Sequence, residues 1–258
     1  MTQASELPGF NWRHLVLAIA VLGSLALALS LLPPLAQSPG YHEFADRRSF
    51  FGIPNFWDVA SNVPFLLVGI AGVRFCLRSD PRGGKPGWLA FFAGVALVSI
   101  GSGYYHWDPK NATLVWDRLP MTLAFMGLFV ALLGEYVHAR LARVLFLPML
   151  LLGVCSVLYW QWTGDLRLYL WVQLVSLLSV PVVMILFRAR NSHSWLLPVA
   201  LGWYVLAKAA EVRDAQVFAL TGGLLSGHSL KHVLAAIACL SILAMLRARK
   251  PASAHGLP

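Results

Sequence analysis

The sequence predicts an all-α integral membrane protein, a bundle of eight apolar helices. Three observations predict it. Of 258 residues, 58% are hydrophobic and only 12% charged, about half the charge of a soluble domain. The apolar residues fall into eight continuous runs, most of them close to the roughly 20 residues that cross a bilayer. The runs do not alternate apolar with polar, which argues against a transmembrane barrel. A net charge of +9 would suggest nucleic acid in a soluble chain. Here the basic residues sit in short loops between apolar runs, which is the pattern that orients a membrane protein.

The first run, Leu15 to Leu35, follows Trp12-Arg13 and ends at a proline pair, Pro33-Pro34. Its length and the lack of a small-x-small cleavage site favour a retained helix over a signal peptide. Residues 38–55 form a polar loop. The runs then follow as Phe56–Leu77, Trp88–Tyr105, Leu119–Val137, Val144–Trp162, Leu168–Phe187, Trp195–Ala210 and Ser229–Leu246. Residues 251–258 are expected to be a disordered tail. The organisation is therefore an N-terminal helix within 1–37, a bundle over 38–250 and a tail.

Counted over alternate segments, twelve Lys and Arg lie on one side and six on the other. The positive-inside rule then places both termini in the cytoplasm. The same count puts the outer ends of the helices where the chemistry-bearing residues are.

Those residues begin with the stretch GSGYYHWDPKNATLVWDRLPM, Gly101 to Met121. Ser102 and His106 are four apart and share a helix face. Asp117 opens the next apolar run, where it can also cap a helix. His228 and His232 repeat the four-residue spacing at the start of the last run. Three imidazoles and a carboxylate at one rim of a bundle form the donor set of a catalytic zinc with an open position for water. Tyr104, Tyr105, Trp107 and Trp116 are expected in an interfacial belt. Glu211 and Asp214 either pair with Lys208 or Arg213 or line a cavity. The three cysteines include no CxxC and offer no outer-loop disulfide. There is no glycine-rich phosphate loop, and Ser229 stands where an HExxH motif would need Glu.

The set Ser102-x3-His106, Asp117 and His228-x3-His232 resembles the alkaline ceramidase family, within the wider CREST group of membrane hydrolases. The segment Asn55-Phe56-Trp57-Asp58-Val59-Ala60-Ser61-Asn62 is also similar to a family pattern. The resemblance runs from about Glu43 to Ala244. It implies a seven-helix ceramidase-like core, here preceded by one extra helix. It also implies zinc on His106, His228 and His232, with Asp117 and Ser102 catalytic, and cleavage of ceramide to a sphingoid base and a fatty acid. The family carries an N-terminal calcium site as well. Glu43 and Asp46 stand in that region, but Asn55 stands where an acid is expected, and calcium favours several carboxylates. The expected partner is a membrane lipid, not nucleic acid, and the oligomeric state is left open. Rival readings are an ester- or other N-acyl-lipid hydrolase of the same group, a receptor holding zinc without turnover, and a haem carrier. The last would place facing histidines in mid-helix and would have no use for Asp117.

Overall fold

The computed structural model describes residues 11–79, 84–187 and 191–249. The 251–258 tail lies outside them. Among the described residues there is no strand, and Phe50 and Ile53 form an isolated antiparallel bridge. The helices are α1 (Trp12–Leu31), α2 (Phe56–Ala60), α3 (Val63–Arg78), α4 (Lys85–Trp107), α5 (Asn111–Leu132), α6 (Ala139–Thr163), α7 (Arg167–Leu186), α8 (Leu196–Val212), α9 (Asp214–Leu220) and α10 (Gly227–Ala248). Seven spans among the described residues are long and apolar enough to cross a membrane. They are α1, α2 with α3, α4, α5 with the turn behind it, α6, α7 and α10. At 17 residues α8 is shorter, spanning roughly 25 Å at 1.5 Å per residue, and it packs along α10. The chain is a multi-pass all-α membrane bundle.

α5 forms the axis. It packs against α4, α6 and α7, and 83% of its most apolar stretch is buried, against 6% for α1. α1 touches the rest of the bundle mainly along α7. α4 and α5 approach closely because glycine stands at the crossing. Pro120 cannot donate a backbone bond to the Trp116 carbonyl one turn earlier. That carbonyl turns toward Gly101, where an added Cβ would lie 2.0 Å from it. Ser102 is thereby brought against the face of α5 that carries Asp117.

The helix boundaries revise two expectations. α5 begins at Asn111, with Lys110 as its N-cap residue, so Asp117 lies inside the helix and caps nothing. Its earlier start reflects the Thr113 hydroxyl, which donates to the carbonyls of Asp108 and Lys110 and closes the first turn. Tyr105 is not in the interfacial belt. It is 1% exposed, and its hydroxyl lies 2.9 Å from Nδ1 of His42. Tyr104, Trp107 and Trp116 are exposed, as a belt requires.

α1 stops at Leu31 rather than Leu35. The residues behind it run extended as a strap over the end of α6 and α7. Leu166 N–H donates to the Leu35 carbonyl at 2.8 Å, and Leu35 N–H donates to Asp165 Oδ1 at 3.2 Å. Arg167 donates to the carbonyls of Leu29 and Leu32 at 2.9 and 2.5 Å. At the opposite end of the bundle, the buried Glu135 accepts from Trp88 Nε1 at 2.6 Å and from Arg249. A π-helical turn, Leu133–Val137, carries it.

Candidate metal centre and adjoining cavity

His106 comes from the last turn of α4, and His228 and His232 from the first two turns of α10. Spacing on each helix and the packing of α3 between α4 and α10 bring them together. Their ring centroids are 4.8, 5.0 and 5.1 Å apart. One nitrogen from each lies within 4.8 Å of the others, and all three rings are buried.

The backbone of each ligand helix is fixed locally. Gly227, just before His228, sits so close to α8 that a Cβ would meet the Ala210 carbonyl at 2.2 Å. Asp214 Oδ1 accepts the His228 N–H at 2.7 Å, and its Oδ2 accepts from Ala45 at 2.8 Å. One carboxylate thus ties the start of α10 to the loop whose Phe44 packs on His106 and His228, at 4.8 and 4.7 Å between centroids. Asn55 adopts a left-handed backbone (φ 47°), which Asn tolerates better than most residues. From there its Nδ2 donates to the His106 carbonyl at 2.9 Å.

His232 is oriented by Ser61, whose hydroxyl is 2.7 Å from Nδ1. That hydroxyl also reaches the Asp58 carbonyl at 3.2 Å. With the serine proton on the carbonyl, His232 Nδ1–H donates to Ser61 and the Nε2 lone pair faces inward. A metal-binding histidine is usually oriented in this way through its second ring nitrogen.

The three residues fit zinc. Neutral imidazoles suit that ion, and its Zn–N bonds of about 2.0–2.1 Å put ligand nitrogens about 3.3 Å apart in a tetrahedron. The Nε2 atoms of His106 and His228 are 3.2 Å apart. His106 Nδ1 is buried without a hydrogen-bond partner. Lys231 Nζ also reaches His228 Nε2, at 2.9 Å. A cation among the imidazoles must displace that contact, and Lys231 keeps its ion pair with Glu211 at 3.1 Å.

His232 borders a cavity of about 380 Å³ that Ser102, Asp117, Arg118, Glu211 and Lys231 also line. Its other walls are mostly apolar, including Phe65, Phe125, Leu177 and Ile242. Asp117 is buried, with the Ser102 hydroxyl beside it as a hydrogen-bonding neighbour. His232, Asp117 and Ser102 therefore line one mostly apolar chamber, with His106 and His228 clustered on His232.

The residues considered for calcium hold the loop in place. Asp46 is gripped by Arg48, at 2.8 and 2.6 Å to its two oxygens. That pairing holds its carboxyl below the usual range, although burial alone pushes it up. Asn55 serves His106 as described, and Glu43 is exposed.

Three residues at the site escaped the sequence reading. Asp58, 0% exposed, accepts from Ser229 at 2.6 Å and Ser226 at 3.3 Å. It staples α2 to the start of α10. An ionisable residue in an apolar run was the available signal. Arg118, among the six basic residues of the less basic side, is 4% exposed. Phe44 carried no signal at all. Glu211 pairs with both Lys208 and Lys231, while Asp214 holds backbone instead.

No curated protein matches the chain. A family model described as Ceramidase matches residues 52–253. That span takes in the three histidines and every long helix except α1, and the chain belongs to the ceramidase family.

Proposed function

We propose that this protein is a zinc-dependent amidohydrolase that cleaves the N-acyl bond of a ceramide-like lipid, releasing a fatty acid and a sphingoid base. The observation that carries the reading is a cluster of three buried imidazoles, one of which, His232, lines a mostly apolar cavity together with Asp117 and Ser102. His106, His228 and His232 would hold the metal. Zinc there would supply Lewis acidity at an open fourth position.

The chain's own groups do the rest. Asp117 takes a proton from the attacking water and passes it to the leaving amine nitrogen. The Ser102 hydroxyl donates to the oxygen on which negative charge develops. The apolar walls hold the acyl chain and keep bulk water from the polar end. Water adds across the amide C–N bond, so acid and amine are the products. The bias of basic residues supports a position for this end of the bundle at the outer face of the membrane.

The test is a substrate comparison. Purified protein should release fatty acid from long-chain ceramide. Cleavage of ester lipids with no action on any N-acyl lipid would overturn the amide assignment.

A further inference from the structure

Arg118 sits one residue beyond Asp117 in α5 and lines the same cavity. It is buried, and it makes no ion pair among the described residues. Trp160 of α6 lies 3.9 Å from its guanidinium carbon, Tyr169 of α7 4.7 Å and Tyr41 5.7 Å. These ring faces offset the charge. Nη2 donates to Gln37 Oε1 at 2.5 Å. Nη1 is buried with no partner, and an unsatisfied donor on a buried cation is costly enough to demand an acceptor.

We propose that Arg118 is a specificity-determining residue that hydrogen-bonds a head-group hydroxyl of the lipid through Nη1, aimed by Gln37 of the strap behind α1. The proposal rests on the ceramide-like reading above and names the part of the substrate this corner selects. The position argues for the head group. Arg118 contacts α6, α7 and the strap, whereas the histidines contact α2, α3 and the Phe44 loop. The two sets contact different elements, and Arg118 follows Asp117 directly in α5, which suits a hydroxyl on the carbon beside the one that bears the amide nitrogen. Charge argues for a neutral hydroxyl. Asp117 and Glu211 line the same cavity with Lys208, Lys231 and Arg118; both lysines are already paired with Glu211, so a neutral acceptor satisfies Nη1 without bringing another charge into the cavity. The strap also gives the added first helix a part in substrate choice. α1 leads into Leu35, Ala36, Gln37 and Ser38, all of which wall the cavity.

The experiment measures kcat/KM of the full zinc-loaded chain on ceramide, on 1-deoxyceramide lacking the primary hydroxyl, and on ceramide 1-phosphate. The wild type should prefer ceramide over 1-deoxyceramide by about 10², because the analogue leaves a buried donor unsatisfied. Arg118→Met should bring that ratio close to one. Gln37→Ala, on the strap and clear of the helix core, should raise KM for ceramide several-fold with kcat little changed, since Gln37 only positions the guanidinium. It gives a second readout should Arg118→Met fold poorly. An unchanged ratio in Arg118→Met, or an unchanged KM in Gln37→Ala, would overturn the proposal and leave the hydrolase reading standing. So would equal turnover of both neutral lipids by the wild type. Preference for ceramide 1-phosphate would replace the hydroxyl with an anion. Wild-type protein that cleaves none of the three overturns both readings.

Discussion

Asp117 and the histidines perform different tasks in this account, and substitution separates them. Removing one imidazole leaves two nitrogens, so His106→Ala, His228→Ala or His232→Ala should strip most of the metal. Asp117→Asn keeps the shape but cannot take a proton. Zinc should stay near one per chain while turnover falls by about 10²–10⁴, the usual contribution of a positioned acid–base group. Metal analysis beside activity on the same preparations checks this. If Asp117→Asn loses zinc as fully as His232→Ala, Asp117 is a ligand. Spacing made the histidines legible, because i and i+4 always share a helix face. The partners of Asp58 and Arg118 were not legible. Their roles depend on which neighbouring helix comes to face them, and no local pattern encodes that.

Among the helices, the α4–α5 crossing sets the distance between Ser102 and Asp117. Gly101→Ala would drive a methyl group into the Trp116 carbonyl. Overpacking of this kind costs about 1–3 kcal/mol. Thermal unfolding should shift downward, and turnover should fall further than zinc content does. Unchanged melting and activity would show that the crossing has slack. The strap behind α1 is held in another way. Arg167 beside Asp165 holds that carboxyl down to about 2. A carboxylate with a depressed pKa stabilises the fold above its ordinary value, near 3.9, and that contribution is lost as pH falls toward 2. Hydrogen exchange at Leu35 and Leu166 should therefore stay slow from pH 8 to pH 5. In Asp165→Asn it should quicken throughout that range. Equal protection in the two proteins would remove Asp165 from the clasp. The apolar runs made the helices themselves legible, since each must bury its backbone bonds internally. Their ends were less so. Side-chain bonds such as those of Thr113 start α5 ahead of its apolar run, and the Pro33-Pro34 segment leaves helix before its own run ends.

For the molecule in its membrane, the bias of basic residues predicts the orientation. In a cysteine-free background, Ala112→Cys at the start of α5 should react with an impermeant reagent added to intact cells. Ala139→Cys, at the other end of the bundle, should not. The reverse pattern would move the site to the cytoplasmic face and leave its chemistry intact. The most direct test of the central claim is amide hydrolysis followed through metal removal and return. Zinc-loaded protein should release fatty acid from ceramide, lose that activity on chelation, and recover it in proportion to zinc rebound, up to about one ion per chain. Full turnover of ceramide by protein shown to be metal-free would contradict the account.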